Sequence, residues 1–181
     1  MSPRSSAPLT LEFILLGLLE ERPMHGYDLF RAMQGLEGLA LIWRIKQSTL
    51  YALLDKLEGQ GFVEYKMLPG GAHPPRKDYR PTQAGQTAFR AWRQAPVEHA
   101  HEMRQEFLAR LYFAQRQDAH TALTLVDCQQ ERCRIWQARL QDDFDALGGA
   151  PSFERFVFSF RIQQVEGNLA WLEQVRQELS H

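Results

Sequence analysis

The hydrophobic positions in one central stretch of the chain repeat with the period of an α-helix. Leu50, Leu53, Leu54 and Leu57 fall at i, i+3, i+4 and i+7, a spacing that places them on one side of a helix. Small and polar residues such as Ser48 fall on the opposite side. The pattern therefore predicts a helix that buries its leucines and presents a small, polar surface to solvent or to a partner.

Three further helices are predicted around this central one. An almost unbroken apolar run, Leu11–Leu19, predicts a first helix that is buried on most sides. A second helix is predicted from Tyr27 to about Leu36, with glycines marking its end. Thr82 is a suitable N-cap for a fourth helix over Gln83–Trp92, because its hydroxyl can accept a hydrogen bond from a free backbone N–H group.

A β-hairpin is predicted between the third and fourth helices. Apolar and charged residues alternate over Phe62–Leu68, which is the period of a strand. Residues 69–75 are rich in Pro and Gly and predict a turn, and Arg76–Pro81 is predicted to return as a strand with Lys77 and Tyr79 on its exposed side. Three helices, a basic hairpin and a helix form the order of a winged helix–turn–helix domain. In that fold the third helix lies in the DNA major groove, and the hairpin, or wing, reaches the neighbouring backbone.

The second half of the chain predicts only helices. Apolar residues recur every seven positions at Val126, Cys133, Leu140 and Leu147, as in a helix packed lengthwise on others. Additional aromatic residues widen the apolar stripe beyond one face, so these helices need more than one packing partner. A second subunit is the natural source. The residues predicted to form that contact are Leu108, Leu111, Trp136, Leu140, Phe156, Phe160, Leu169 and Leu172.

The predicted fold class is mainly α with a small β-hairpin. It comprises an N-terminal winged helix–turn–helix domain over residues 1–95 and a C-terminal α-helical dimerisation domain over residues 96–181. Within the second domain the aromatic residues could instead line a ligand pocket, although core and interface packing is the commoner role of such residues.

Composition places the chain among ordinary soluble globular proteins. Of 181 residues, 44% are hydrophobic and 24% are charged, and the net charge of −1 does not by itself indicate a nucleic-acid partner. The sequence lacks an apolar run of membrane-spanning length and a signal-peptide pattern, so a cytoplasmic location without membrane contact is expected. Cys128 and Cys133 are too few for a disulfide framework and are predicted to be reduced packing residues.

Motifs for catalysis, metals and cofactors are missing from the sequence. No nucleotide-binding loop, nucleophile elbow or zinc-protease motif is present, so neither an enzyme nor a cofactor is predicted. His99 and His101 form an isolated pair whose side chains would diverge on a helix, and no third ligand is evident, so no metal site is predicted. His25 could contact a phosphate at the start of the second helix, although a cap or packing role is commoner.

Three blocks of sequence resemble the PadR family of transcriptional regulators. The first runs from Leu15 to Leu29 (LLGLLEERPMHGYDL) and is similar to the opening signature of that family. The second, TLYALLDKLE from Thr49 to Glu58, resembles its recognition helix. The third, PPRKDYRPTQAG at residues 74–85, resembles its wing and the start of the following helix. The blocks occur in the family's order and spacing, over roughly residues 11–93.

The resemblance implies a dimeric repressor that binds a palindromic operator on double-stranded DNA. It also implies that the operator is released when a small-molecule effector of unknown identity, or another signal, acts. By position, Tyr51 would hold a backbone phosphate. The residues implied at the DNA groove or in the wing are Lys46, Gln47, Ser48, Thr49, Tyr51, Arg76, Lys77 and Tyr79. Asp55 stands where a basic residue is common and would repel phosphate, so only the first two turns of the helix are expected to enter the groove.

The sequence leaves one other class of function open. A winged helix can serve as a protein–protein interaction module, since a fold does not determine a function. The basic wing and the small residues of the central helix favour DNA over this alternative, and a steep salt dependence of duplex binding would distinguish them.

Overall fold

The computed structural model of this chain describes residues 10–35, 39–69 and 75–180. It divides into two compact units between Arg93 and Gln94, near the division at residue 95 predicted from the sequence. Within the ranges described, no helix combines the length and the apolar character that crossing a membrane requires.

Helices and strands of the N-terminal unit follow the predicted order. Its α-helices are α1 (Thr10–Glu21), α2 (Gly26–Gly35), α3 (Gln47–Gly59) and α4 (Gln83–Gln94), with a 3₁₀ turn at Leu39–Leu41 before α3. Its strands are β1 (Met24–His25), β2 (Val63–Leu68) and β3 (Arg76–Pro81). The predicted end of the second helix at Leu36 and the predicted wing tip at residues 70–74 lie outside the described residues.

A three-stranded antiparallel sheet replaces the simple hairpin predicted from the sequence. Its strand order is β1-β3-β2, with Met24 opposite Tyr79 in one pair and Tyr65 opposite Tyr79 in the other. Tyr79 lies on the central strand β3, and its side chain is only 3% exposed. The prediction of an exposed Tyr79 is therefore wrong: its ring lies against Tyr65 and lines a cavity with Tyr51 of α3.

The predicted core face of α3 is confirmed for three of its four leucines. Leu50, Leu54 and Leu57 have no exposed surface, whereas Leu53 is half-buried. The carboxylate of Glu12 on α1 is also fully buried, and the Lys56 ammonium of α3 lies 2.6 Å from it. This ion pair joins the first helix to the third, so it helps to set the position of α3 within the unit.

Local signals explain where α4 begins. The hydroxyl of Thr82 accepts a hydrogen bond from the Gly85 N–H group at 3.1 Å and donates one to the Gly61 carbonyl at 2.7 Å, which confirms the predicted N-cap. A Cβ added at Gly85 would lie 2.1 Å from the Phe62 carbonyl oxygen, so only glycine allows α4 to approach the start of β2 this closely.

Helices are the only regular elements in the described residues of the C-terminal unit. A 3₁₀ helix at Ala100–Arg104 leads into α5 (Glu106–Gln117), α6 (Ala119–Ala146) and α7 (Phe153–Leu179). Helices α6 and α7 run antiparallel, as two cross-links show. Arg176 donates to Asp127 at 2.8 Å near one end of the pair, and Gln137 donates to Glu166 at 3.3 Å further along.

The core of this unit lies between α5, α6 and α7. Its fully or nearly fully buried residues include Phe107, Leu125, Val126, Cys133, Val165 and Leu172. Cys133 is the packing residue that was predicted, but Cys128 is exposed, so the prediction fails for that cysteine. Both thiols are free.

His99 and His101 depart from the geometry predicted for them. Their rings stack at 5.5 Å between centroids and 7° between planes, because this segment is extended and 3₁₀-helical rather than α-helical. Among the described residues, no group of three or more His, Cys, Asp or Glu side chains could hold a metal ion.

Candidate nucleic-acid interface

The first turn of α3 presents an exposed polar surface. Lys46, Gln47, Ser48 and Thr49 are all exposed, as predicted, and Tyr51 is 38% exposed on the flank of the same surface. Lys46 is the N-cap, yet its side chain makes no capping hydrogen bond, and the first turn carries no acidic residue. The free N–H groups and the partial positive charge of this helix end therefore face outward, where they suit a phosphate.

A cavity of about 420 Å³ lies between the start of α2, the flank of α3 and β3. It brings together four of the predicted residues, Tyr51, Arg76, Lys77 and Tyr79, which come from two separate blocks of the sequence. Predicted residues 46–49 do not line it and lie at the beginning of α3. The sequence did not indicate the other lining residues as a group: His25, Gly26 and Tyr27.

Gly26 determines where the ring of Tyr51 lies. A Cβ added at Gly26 would lie 2.5 Å from Tyr51 Cε1 and 2.9 Å from its hydroxyl oxygen. Such distances are far below van der Waals contact, so the phenol rests on α2 only because position 26 has no side chain. The sequence shows Gly26 between His25 and Tyr27, but it does not show that Gly26 meets Tyr51 of α3.

Lys77 of the wing is already paired with a carboxylate of α3. Its ammonium lies 3.3 Å from a carboxylate oxygen of Glu58 and 3.9 Å from the centroid of the Tyr65 ring. The largest influence on the Lys77 pKa, burial, acts to lower it, but the hydrogen bond to Glu58 raises it, and the net shift is upward. Lys77 therefore stays charged, with part of that charge neutralised by α3.

Arg76 is the less constrained cation of the pair. It is exposed at the start of β3, and its guanidinium has neither an ion-pair nor a hydrogen-bond partner within the described parts of the chain. Of the two predicted wing cations, Arg76 is thus the one with a free charge to offer to an anion.

Tyr79 retains a polar role although its ring is buried. Burial raises the pKa of its phenol, so the group stays neutral and keeps its hydrogen at physiological pH. The residue lines the cavity beside Tyr51, and its ring meets Tyr65 edge-on at 5.9 Å. A neutral phenol at the wall of a basic cavity can donate a hydrogen bond to an anion.

His25 forms a cap with its own helix. Its Nε2 lies 2.9 Å from an oxygen of the Asp28 carboxylate, and its Nδ1 accepts a hydrogen bond from the Asp28 N–H group at 3.3 Å. Both contacts fit the cap or packing role that is commoner for such a histidine. The imidazole also lines the cavity.

The predicted dimer residues divide into three groups by their exposure. Phe156 and Phe160 are 63% and 61% exposed, and Phe153 and Val157 extend the same apolar surface at the start of α7. Leu111 and Leu172, by contrast, are 7% and 0% exposed inside the core of one chain, so they have almost no surface to offer a second subunit. The remaining four are partly exposed: Leu108, Trp136, Leu140 and Leu169.

Comparison with known proteins gives matches in both units. Residues 15–91 match the model of the transcriptional regulator PadR-like family, and residues 103–180 match the model called virulence activator alpha C-term. The negative transcriptional regulator PadR of Bacillus subtilis (strain 168) is 25% identical over 176 residues, which are 91% of this chain and 94% of that protein.

Several solved structures are also similar to this chain. Bacillus subtilis PadR in complex with operator DNA is 22% identical, with a TM-score of 0.47 over 94% of this chain and 99% of that one. The same protein in complex with p-coumaric acid is 22% identical, with a TM-score of 0.44 over 96% and 100%. A PadR family regulator from Eggerthella lenta is 34% identical, with a TM-score of 0.40 over 45% of this chain and 67% of that one.

The family predicted from three blocks of sequence is therefore confirmed by the family model that spans those blocks. The same match confirms a regulator rather than an enzyme, and it places the winged helix–turn–helix at the N-terminal end. This chain belongs to the PadR-like family of transcriptional regulators.

Proposed function

We propose that this protein is a homodimeric repressor that binds a two-fold symmetric operator through α3 and the wing, and that a small-molecule effector releases it. One observation carries the DNA-binding part. The uncapped first turn of α3 and the cavity of Tyr51, Arg76, Lys77 and Tyr79 offer a partial positive charge, cations and phenols to one duplex backbone.

In this proposal α3 reads the bases and the cavity holds the backbone. Ser48 and Thr49 are small enough to let α3 enter the major groove, and Lys46 and Gln47 are long enough to reach base edges or phosphates. Tyr51 and Arg76 then bind a phosphate at the groove edge. Asp55 and Glu58 lie later on α3, where their charges oppose phosphate, so the helix enters by its first two turns.

The dimer is proposed to form through the start of α7. One winged-helix domain offers a small footprint, so two linked copies are needed for high affinity. A continuous apolar surface is exposed at the start of this helix, and it consists of Phe153, Phe156, Val157 and Phe160. Such a patch commonly marks a protein contact. Two-fold symmetry would then place two recognition helices in successive major grooves.

Repression and effector release are supported by the Bacillus subtilis relative. That protein is a negative transcriptional regulator, and it has been solved both with operator DNA and with p-coumaric acid. We carry the sign of regulation, and release by a small molecule, to this chain as part of the proposal.

Selection of bound duplexes from a random pool tests the proposal most directly. Repressor-type binding should enrich a palindrome with half-sites one helical turn apart, and affinity for it should fall steeply with salt. A protein–protein module would enrich no sequence. Recovery of an asymmetric site, or a binding constant independent of salt, would contradict the proposed mode of binding.

A further inference from the structure

Residues 95–99, the connecting segment, lead from the winged-helix unit into the C-terminal unit and have no regular structure. Helix α4 ends at Gln94, so the connecting segment follows it directly in the chain. Connections between domains are commonly exposed and polar and make few contacts. Here Val97 has no exposed surface, and Ala95 and Pro96 are half-buried. The connecting segment therefore differs from an ordinary flexible linker.

Arg110 of α5 holds the first part of the connecting segment. Its guanidinium donates hydrogen bonds to the Ala95 and Pro96 carbonyl oxygens at 2.6 and 3.0 Å. The same guanidinium pairs with the Glu106 carboxylate one turn earlier on α5, and Arg110 is only 9% exposed. A hydrogen bond from a charged donor is stronger than one between neutral groups, and burial strengthens it further. One side chain thus holds two consecutive peptide groups.

Two further side chains hold the rest of the connecting segment. The amide oxygen of the buried Gln129 on α6 accepts a hydrogen bond from the Val97 N–H group at 2.7 Å. A carboxylate oxygen of Glu102, in the 3₁₀ helix, accepts hydrogen bonds from the Glu98 and His99 N–H groups at 3.0 and 2.9 Å. Backbone groups of five consecutive residues are therefore bound by side chains of three different helices.

Such a segment cannot bend without breaking several buried hydrogen bonds, and Pro96 restricts its backbone further. We propose that Arg110 and Gln129 are positioning residues for operator recognition. By holding the connecting segment, they fix the path of the chain where it meets α4, and with it the half-site spacing that the dimer accepts. Neither side chain contacts DNA in this role. The inference rests on the proposed dimer and its two-fold symmetric operator.

Half-site spacing is a sensitive measure of such a constraint. One additional base pair moves the second half-site by about 3.4 Å and rotates it by roughly 35° about the duplex axis. A dimer with rigidly connected units loses its second contact on that duplex, and with it roughly 10²–10⁴ in apparent affinity. A dimer with flexibly connected units can follow the displaced half-site. It binds the best spacing more weakly, because the effective concentration of the second unit falls.

A role in stability alone would give a different result. Buried backbone groups need partners in any fold, so loss of Arg110 or Gln129 should also make the C-terminal unit less stable. Lower stability reduces the folded fraction and weakens binding to every duplex by the same factor. It leaves the preference among spacings unchanged. The spacing preference of the folded dimer therefore distinguishes positioning from stability.

Selection from a random pool, followed by titration with duplexes of altered spacing, tests the inference on the full chain. The wild-type protein should enrich one spacing, and one base pair more or less should weaken its binding by at least about 10²-fold. Arg110→Met and Gln129→Met should each enrich several spacings and reduce that penalty to about tenfold or less, with single half-site affinity unchanged. Arg110→Lys keeps a cation that can donate to both carbonyls, so it should retain the single spacing.

Val165→Ala is the matched control for stability. Val165 is 1% exposed in the core of the same unit, and its truncation leaves each hydrogen bond to the connecting segment in place. This protein should unfold at lower denaturant concentration yet keep the single spacing. Insertion of two glycines between Gln94 and Ala95 is the converse variant. It keeps Arg110 and Gln129 in place and should broaden the accepted spacing with little loss of stability, so the test does not depend on the folding of Arg110→Met.

Sedimentation should show every variant as a dimer. An unchanged spacing preference in Arg110→Met, Gln129→Met and the glycine insertion would overturn the inference, and so would a broadened preference in Val165→Ala. In either case, binding of a single spacing by the wild-type protein would leave the proposed function standing. A wild-type protein that binds the palindrome no better than a single half-site would refute the proposed dimeric mode of binding itself, and this inference with it.

Discussion

Helices α3 and α7 are built on the same plan but present opposite chemistry to solvent. Each buries one stripe in its own unit: Leu50, Leu54 and Leu57 on α3, and Ile162, Val165 and Leu172 on α7. The exposed side of α3 is small and polar over its first turn, from Gln47 to Thr49. The exposed side of α7 at its start consists of aromatic rings, with Phe153 76% exposed.

The difference teaches that the buried stripe positions a helix, while the opposite side determines its partner. Small polar groups stay hydrated until an anion or a base edge replaces the water, so α3 is suited to a duplex. Rings remain in contact with water at a cost that only another apolar surface removes, so the start of α7 is suited to protein. We therefore expect polar residues at the start of α7 to remove its protein contact, and aromatic residues on the first turn of α3 to remove its contact with the duplex.

Charging the aromatic surface of α7 should give the largest effect. The double substitution Phe156→Glu and Phe160→Glu is expected to make the full chain monomeric, because two like-charged surfaces would face each other across the two-fold axis. Loss of the linked second contact should lower affinity for the palindrome by roughly 10²–10⁴-fold. Sedimentation and titration with duplex measure both quantities.

Gln177→Glu provides the control for charge alone. Residue 177 is exposed near the end of α7, far from the aromatic surface at its start, so this protein should remain dimeric. A dimeric double variant would refute the proposal that the start of α7 is the interface.

Breaking the ion pair beneath α3 should reduce stability rather than recognition. Lys56→Met removes the ammonium that lies 2.6 Å from the fully buried Glu12 carboxylate. Removing this cation from beside the buried carboxylate is expected to lower the free energy of unfolding by up to about 3 kcal/mol. The loss is at the low end of the range for buried ion pairs because Lys56 itself is one-third exposed. Denaturant titration measures the change. Duplex affinity of the folded protein should change little; a large loss of affinity without a loss of stability would place Lys56 on the DNA surface.

Removing the two wing cations should change the electrostatics of binding without changing the dimer. Arg76→Ala with Lys77→Ala should weaken specific and non-specific duplexes about equally and flatten the salt slope by up to about two units. Because Glu58 already holds Lys77, we expect Arg76→Ala alone to account for most of the change. Titration over a range of salt concentrations tests this. An unchanged slope would remove the wing from the interface.

Tyr51 should show the smallest effect, and the one most specific to DNA. Tyr51→Phe keeps the ring and removes one hydrogen bond to phosphate, so about 1–2 kcal/mol of binding free energy should be lost with little change in stability. Gly26→Ala should mimic this loss by displacing the ring, since the new Cβ would lie 2.5 Å from it. If Tyr51→Phe lowers the unfolding free energy as much as the binding free energy, Tyr51 is a core residue and α3 lacks its proposed phosphate contact.

Local patterns predicted much of the fold because local interactions build it. The leucine spacing of α3 and the Thr82 cap each act within a few residues, and the helix and the N-cap predicted from them are present. The Pro- and Gly-rich turn predicted at residues 69–75 lies largely outside the described residues. Strand β1 was missed because two residues, Met24 and His25, are too short to show a period. Tyr79 looked exposed because Tyr51, which shares a cavity wall with it, comes from α3, far away in the chain.

The candidate site was predicted as residues rather than as an arrangement. Tyr51 and Arg76 were identified by their positions in two sequence blocks, but their meeting in one cavity depends on β3 packing beside α3. Glu58 lies in one of those blocks, yet its pairing with Lys77 was not foreseen, because a pair separated by a hairpin has no signature in spacing. Phe156 and Phe160 were predicted to be apolar surface and are exposed. Leu172 was assigned to the same surface and is buried, because helical periodicity does not say which of two apolar stripes is covered by the same chain.

By itself, the sequence determined which side of each helix avoids water, where the chain turns, and the family to which it belongs, since these depend on the residue types and their spacing along the chain. Only the tertiary structure decided that Gly26 supports Tyr51 and that Lys77 pairs with Glu58. Each of these depends on groups brought together from distant parts of the chain. Their distances are set by how whole elements pack, which no local pattern encodes.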